Sequence, residues 1–147
     1  MNLAETLEQR WLLGIPQMDD THREFAELVD SFAELDTNDR EAFTARYQQL
    51  VRHTAEHFQN EDRLMCDSGF FATAMHKGEH ERVLGEMARM GGYLQRGQVK
   101  MVRDYVLEHL PGWFEQHAAT MDSALAGHLK NRNIDVSEIT HPQTAPK

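Results

Sequence analysis

Apolar side chains recur at steps of three and four through most of this chain, the period of a helix with one buried stripe. Phe25, Leu28, Val29, Phe32 and Leu35 form the first stripe, with Pro16 and the Asp19/Asp20 pair suited to its first turn and the polar run DTNDR (36–40) ending it. The second runs from about 40 to 67, with Phe43, Tyr47, Leu50, Val51, Phe58, Leu64 and Met65 inward and Gly69 as its stop. The third, about 72 to 96, carries Val83, Leu84, Met87 and Leu94, and the fourth, about 98 to 127, carries Val102, Tyr105, Val106, Trp113, Phe114 and Leu125. Four such helices with short connections predict an all-α fold, an up-down-up-down four-helix bundle over residues 1–130 with a short N-terminal arm. From 131 to 147, NRNIDVSEITHPQTAPK loses the period and reads as an irregular C-terminal tail.

Two breakers qualify this pattern. Pro111 followed by Gly112 predicts a kink or a helix restart, because proline lacks the N–H and crowds the carbonyl one turn earlier. Gly78, Gly85, Gly91 and Gly92 each weaken the third helix by about 1 kcal/mol relative to Ala unless close packing uses the missing side chain, which predicts tight helix contact near Gly78.

A net charge of −9, from 15 Lys plus Arg against 24 Asp plus Glu, opposes nucleic acid and anionic membrane surfaces as partners. No apolar run approaches the ~20 residues a bilayer span requires. The single cysteine, Cys66, cannot form an internal disulfide, and MNLAETLEQRW lacks the basic start and long apolar run of a secretion signal. The chain is expected to be cytoplasmic.

Histidine is the unusual component: seven of nine lie within residues 53–128. In HTAEHFQNED (53–62), His53, His57 and Glu61 are spaced by four and share a helix face, and His76 and His80 repeat that spacing. His22, three before Phe25, faces inward, and His117 with Asp122 on the fourth helix can reach the same interior. Five imidazoles and two carboxylates buried without compensation would cost several kcal/mol, so they require a pairing or an ion. Carboxylates can bridge two ions, and this set suits a dinuclear site better than one zinc; iron fits the mixed N/O donors, with manganese, cobalt or zinc also possible. Ferritin-like bundles use paired Glu-x-x-His motifs, and Glu138/His141 in the tail is the one example here.

The blocks GIPQMDDTH (14–22), HFQNED (57–62), HKGEH (76–80) and WFEQHAATMD (113–122) resemble the hemerythrins, specifically the bacterial hemerythrins, in order and over nearly the whole bundle. The resemblance implies a non-heme di-iron centre (Fe2+/Fe3+) with an oxo or hydroxo bridge. One iron would be held by His76, His80 and His117, the other by His22 and His57, with Glu61 and Asp122 bridging. It further implies a dioxygen-binding protein for carriage, storage or sensing rather than an enzyme. The gas would bind end-on at the five-coordinate iron, in a dry pocket near Phe25, Phe114 and Ala118.

Ala118 stands where the family usually has Ile, and Phe114 where it often has Leu, so the pocket is reshaped. That change supports an alternative, a di-iron enzyme reducing nitric oxide or peroxide at the same site. Trp11 and Leu7 replace a family Tyr and Trp as packing changes, and His53, Cys66, His109, His128 and His141 receive no ligand role. One local prediction is sharp: His117 and Asp122 are five apart, about 140° on an ideal helix, so both can face one site only through a π-bulge or distorted turn.

Overall fold

The computed structural model describes residues 1–134, which form an all-α bundle. Helix α1 spans Leu3–Arg10, α2 Pro16–Ser31 with a 3₁₀ turn at Phe32–Glu34, α3 Arg40–Ser68 and α4 Thr73–Gln95. The last rod comprises α5 (Val99–Asp104), a π turn (Tyr105–His109), α6 (Leu110–His117), a second π turn (Ala118–Asp122) and α7 (Ser123–Asn131). Tyr105, Leu110, Ala118 and Ser123, where these pieces join, keep right-handed helical dihedrals.

The N-terminal arm proves helical. Asn2 and Glu5 form a capping box, and the Asp30 carboxylate accepts from the Leu3 and Ala4 N–H groups at 2.9 Å each, fastening α1 to α2. Buried Asp19 does the same for the next connection, accepting from Leu13 and Gly14 N–H at 2.7 and 3.0 Å. Gly14 needs a positive φ (+82°) to present that N–H, and Gly69 takes the left-handed conformation (φ +67°) that ends α3 where the sequence expects it. Asp39 caps the start of α3 by accepting from Ala42 N–H.

The predicted stripes form the core. Phe32 and Phe43, both fully buried, meet edge to face at 5.4 Å, a pairing worth about 0.5–1.5 kcal/mol beyond its area. The restart expected at Pro111–Gly112 is found: a π turn, in which Leu110 N–H bonds to the Tyr105 carbonyl five residues back, interrupts the helix just upstream, and α6 begins at Leu110. Close contact at Gly78 is not found: a side chain there would meet open space, and Gly91 is the α4 glycine that lies against a neighbour, Tyr47. Gly78 faces outward because His76 and His80 on either side take the inward phase.

Buried apolar side chains form two clusters. The larger holds Phe25, Phe58, Val83, Phe114 and Ala118; the smaller holds Ile15, Met18, Leu64, Phe70 and Leu125. Helix α2, helix α3 and the last rod each contribute to both clusters, α4 starts just after the smaller one, and the histidines and carboxylates lie where the two clusters meet.

Candidate metal centre

All seven proposed ligands meet in that polar layer. His22 comes from α2, His57 and Glu61 from α3, His76 and His80 from α4, His117 from the end of α6 and Asp122 from the second π turn, and all are buried. The π turn carries out the predicted correction: Ser123 N–H bonds back to the Ala118 carbonyl, five residues away, so the extra residue is absorbed before Asp122. His117 Nε2 and Asp122 Oδ1 then stand 3.2 Å apart.

The two carboxylates divide the cluster. Glu61 Oε1 lies 3.2 Å from His80 Nε2 and 3.6 Å from His76 Nε2, whereas Glu61 Oε2 lies 3.2 Å from His57 Nε2 and 3.6 Å from His22 Nε2. Asp122 repeats this, with Oδ1 3.1 Å from His76 Nε2 and Oδ2 3.2 Å from His22 Nε2. Each carboxylate thus turns one oxygen to a three-histidine group and the other to a two-histidine group.

The donor set fits metal. Both oxygens of Glu61 and Asp122 are buried without a hydrogen bond, as are His22 Nε2 and His80 Nε2. His76 Nε2 and His117 Nε2 point at each other 3.1 Å apart. Bonds of about 2.1 Å at right angles around one ion bring two ligand atoms to about 3.0 Å, the spacing seen repeatedly here. Five donors converge as Glu61, His76, His80, His117 and Asp122, and a second group as His22, His57 and Glu61.

The local field is strong. Burial opposes charge on Glu61 and Asp122, yet the surrounding imidazoles hold both carboxyls well below the usual range. Burial would also lower His22, but the Asp122 and Glu61 carboxylates outweigh it and raise its pKa to about 10. For His57 burial prevails, and its pKa falls to about 4.

Outer contacts orient the rings. His80 Nδ1 donates to Asp62 Oδ1 at 2.8 Å, which leaves the Nε2 lone pair facing the cluster, and Phe58 stacks on the same ring at 3.9 Å. Trp113 stacks on His117 at 4.8 Å while its indole N–H donates to Glu79 at 2.7 Å. Arg82, and then this indole, hold Glu79 down to about 2. Phe114 meets His22 edge-on at 5.1 Å and stacks with Phe25 at 5.2 Å; Ala118 is fully buried in the same apolar cluster.

Sequence reasoning missed the roles of Asp62 and Glu79. Asp62 stands beside Glu61 within HFQNED, but no spacing signal links it to His80, 18 residues on. The unassigned histidines lie elsewhere: His53 Nε2 pairs with Glu24 at 3.1 Å, His128 Nε2 donates to the Ser68 carbonyl, and His109 neighbours Tyr105. Cys66 is an exposed free thiol. Glu138 and His141 lie outside the described residues. No helix among the described residues is long and apolar enough to cross a membrane.

Comparison with known proteins agrees with this architecture. The family model of the hemerythrin HHE cation binding domain matches residues 13–129. A bacteriohemerythrin of Ralstonia nicotianae is 29% identical over 126 residues, covering 86% of this chain and 89% of its own length. A myohemerythrin of Sipunculus nudus is 27% identical, covering 76% of this chain and 82% of its own length. No solved structure gives a significant match. With the family model spanning the bundle from the Asp19-bound turn to the end of the last rod, and the buried imidazole and carboxylate layer inside that span, the chain belongs to the hemerythrin family.

Proposed function

We propose that this chain binds dioxygen reversibly at a pair of iron ions, with His76, His80 and His117 on one ion, His22 and His57 on the other, and Glu61 and Asp122 between them. The observation that carries the reading is the two-sided presentation of both carboxylates between unequal groups of imidazoles. With a shared oxygen bridge, the three-histidine side would reach six donors and the two-histidine side five, which would leave room for a guest on the His22/His57 side. An iron pair would supply the two electrons, one from each ion, that a diatomic oxidant takes up and returns.

The chain's own contribution is exclusion and orientation. Phe25 and Phe114 cover the His22 side with stacked rings, and fully buried Ala118 extends that apolar wall. Keeping water and protons from this wall favours release of the guest over oxidation of the metal. The relatives named bacteriohemerythrin and myohemerythrin support the same reading. The alternative, a di-iron enzyme reducing nitric oxide or peroxide, rests on the small side chain of Ala118. That residue is packed within the larger apolar cluster, which favours the binder. Residues 1–130 act as one bundle domain, and the lone exposed thiol of Cys66 suits a reducing, cytoplasmic setting.

Anaerobic reconstitution with ferrous iron tests this. Two ions per chain, with visible charge-transfer bands that appear in air and vanish on deoxygenation over repeated cycles, are expected. Bleaching to the ferric form with turnover on nitric oxide or peroxide overturns the binder in favour of the enzyme.

A further inference from the structure

The seven-residue cluster is covered unevenly. Phe58 lies over His80, Trp113 over His117, and Phe114 against His22. His57 is the most exposed of the set at 7%, the other six lying between 0 and 4%. On its side a pocket of about 290 Å³ lies between α2 and α3, with His57 and Glu61 in its lining. Gln17 and Asp20 on its wall are exposed and Thr21 and Asn60 half-buried, whereas Met18 and Leu64 are buried.

The chemistry of this wall differs from that of the aromatic cover. Asp20 offers a carboxylate, Gln17 and Asn60 offer amide oxygens, and the Thr21 hydroxyl donates to the Gln17 carbonyl, which leaves its lone pairs available. Oxygen donors of this kind accept a hydrated divalent cation while it sheds water stepwise. Asp20 also pairs with Arg23 at 3.0 Å, so its side chain is held at this surface. A net charge of −9 raises the local concentration of cations around the whole chain.

We propose that this pocket is the port through which divalent metal enters and leaves the centre. It rests on the metal-centre reading above. An arriving ion meets His57 and Glu61 Oε2 first. Glu61 Oε1, on the same carboxylate, faces His80 and His76, so the deeper group is reached by passage across one side chain.

Cobalt(II) uptake by the metal-free protein, followed by its visible absorption in stopped flow, and cobalt release into excess EDTA test the port without dioxygen. The double variant Thr21→Leu, Asn60→Leu fills the pocket without touching a ligand. A path acts equally in both directions, so uptake and release are each expected to slow at least tenfold, with Kd within about twofold and two cobalt ions still bound per chain. Asn60→Leu alone is expected to slow both rates severalfold, and it serves if the double variant loses helical circular dichroism. Unchanged rates with two ions bound overturn the port alone. So does a changed Kd with unchanged uptake, which marks a ligand role instead, or wild-type uptake no faster than global unfolding measured by hydrogen exchange. Fewer than two ions in the wild-type chain overturns the centre and the port together.

Discussion

His117 Nε2 lies 3.2 Å from Asp122 Oδ1 although an ideal α-helix would set the two about 140° apart. The π turn between them is one residue longer than the α turn it replaces, and that residue brings both side chains to one face.

Deleting exposed Thr120 therefore leaves the pair four apart, the α-helical spacing of His57 and Glu61. We expect the deletion to keep two metal ions per chain and unchanged helical circular dichroism. Inserting an alanine after Ala119 spreads the pair further and should lower capacity below two. Loss of metal on deletion would show that the bulge itself, rather than the face it restores, is required.

Removing metal should destabilise the bundle. Glu61 and Asp122 carry four buried oxygens without hydrogen bonds, and an ion supplies their missing partners. An ion held at a hundredfold excess over its Kd adds about 2.7 kcal/mol, which for a chain of this size corresponds to roughly 5–11 °C in Tm. Calorimetry of chelated and reloaded protein measures this; coincident transitions would count against the centre.

His53 and His57 share a helix face but differ in consequence. His53→Ala removes an exposed pairing with Glu24 and should cost less than about 1 kcal/mol, with metal content unchanged. His57→Ala takes one of two imidazoles from its side and should leave one ion per chain. Asp62→Asn removes the carboxylate acceptor of His80 Nδ1–H and should weaken metal affinity roughly 10–100-fold, read by chelator competition.

The pH response of protein stripped of metal follows from buried imidazoles shifted in opposite directions, His22 and His80 upward and His57 downward. For His22 burial is overcome by the Asp122 and Glu61 carboxylates, and the folded value of about 10 exceeds the ordinary 6.5. Its contribution is complete below 6.5 and lost as pH rises toward 10. For His57 burial lowers the folded value to about 4, so stability is lost as pH falls from 6.5 toward 4. Together they place the maximum Tm of the metal-free protein near pH 6.5. Metal held through His22, as proposed, requires that imidazole to be neutral, so the loaded protein should show a flatter Tm above that pH. A midpoint that climbs steadily from pH 7 to 9 after chelation would contradict the assignment.

Local period made much of this molecule readable. Phe25, Phe43, Val83 and Val102 reach the core because a stripe at helical spacing has one way to be buried, and His57/Glu61 and His76/His80 travel with their stripes. The interruption before Pro111 was legible as a disturbance, though its form as a π turn depends on where the displaced carbonyl finds its donor. Helix α1 was not legible, since Leu3 and Leu7 are too few to set a period and Asp30 anchors it from 26 or 27 residues away. Gly78 misled because a glycine can mark close packing or an open surface, and only its phase relative to His76 and His80 decides. Glu79 and Trp113 meet across 34 residues, a contact that no local pattern encodes.

Glu61 gives one oxygen to each imidazole group and contributes to both candidate ion sites. Any substitution or tilt of α3 that adjusts this carboxylate retunes both halves at once. A lineage altering its affinity for one cation therefore has to do so through the histidines or their backing residues, with the shared bridge held constant.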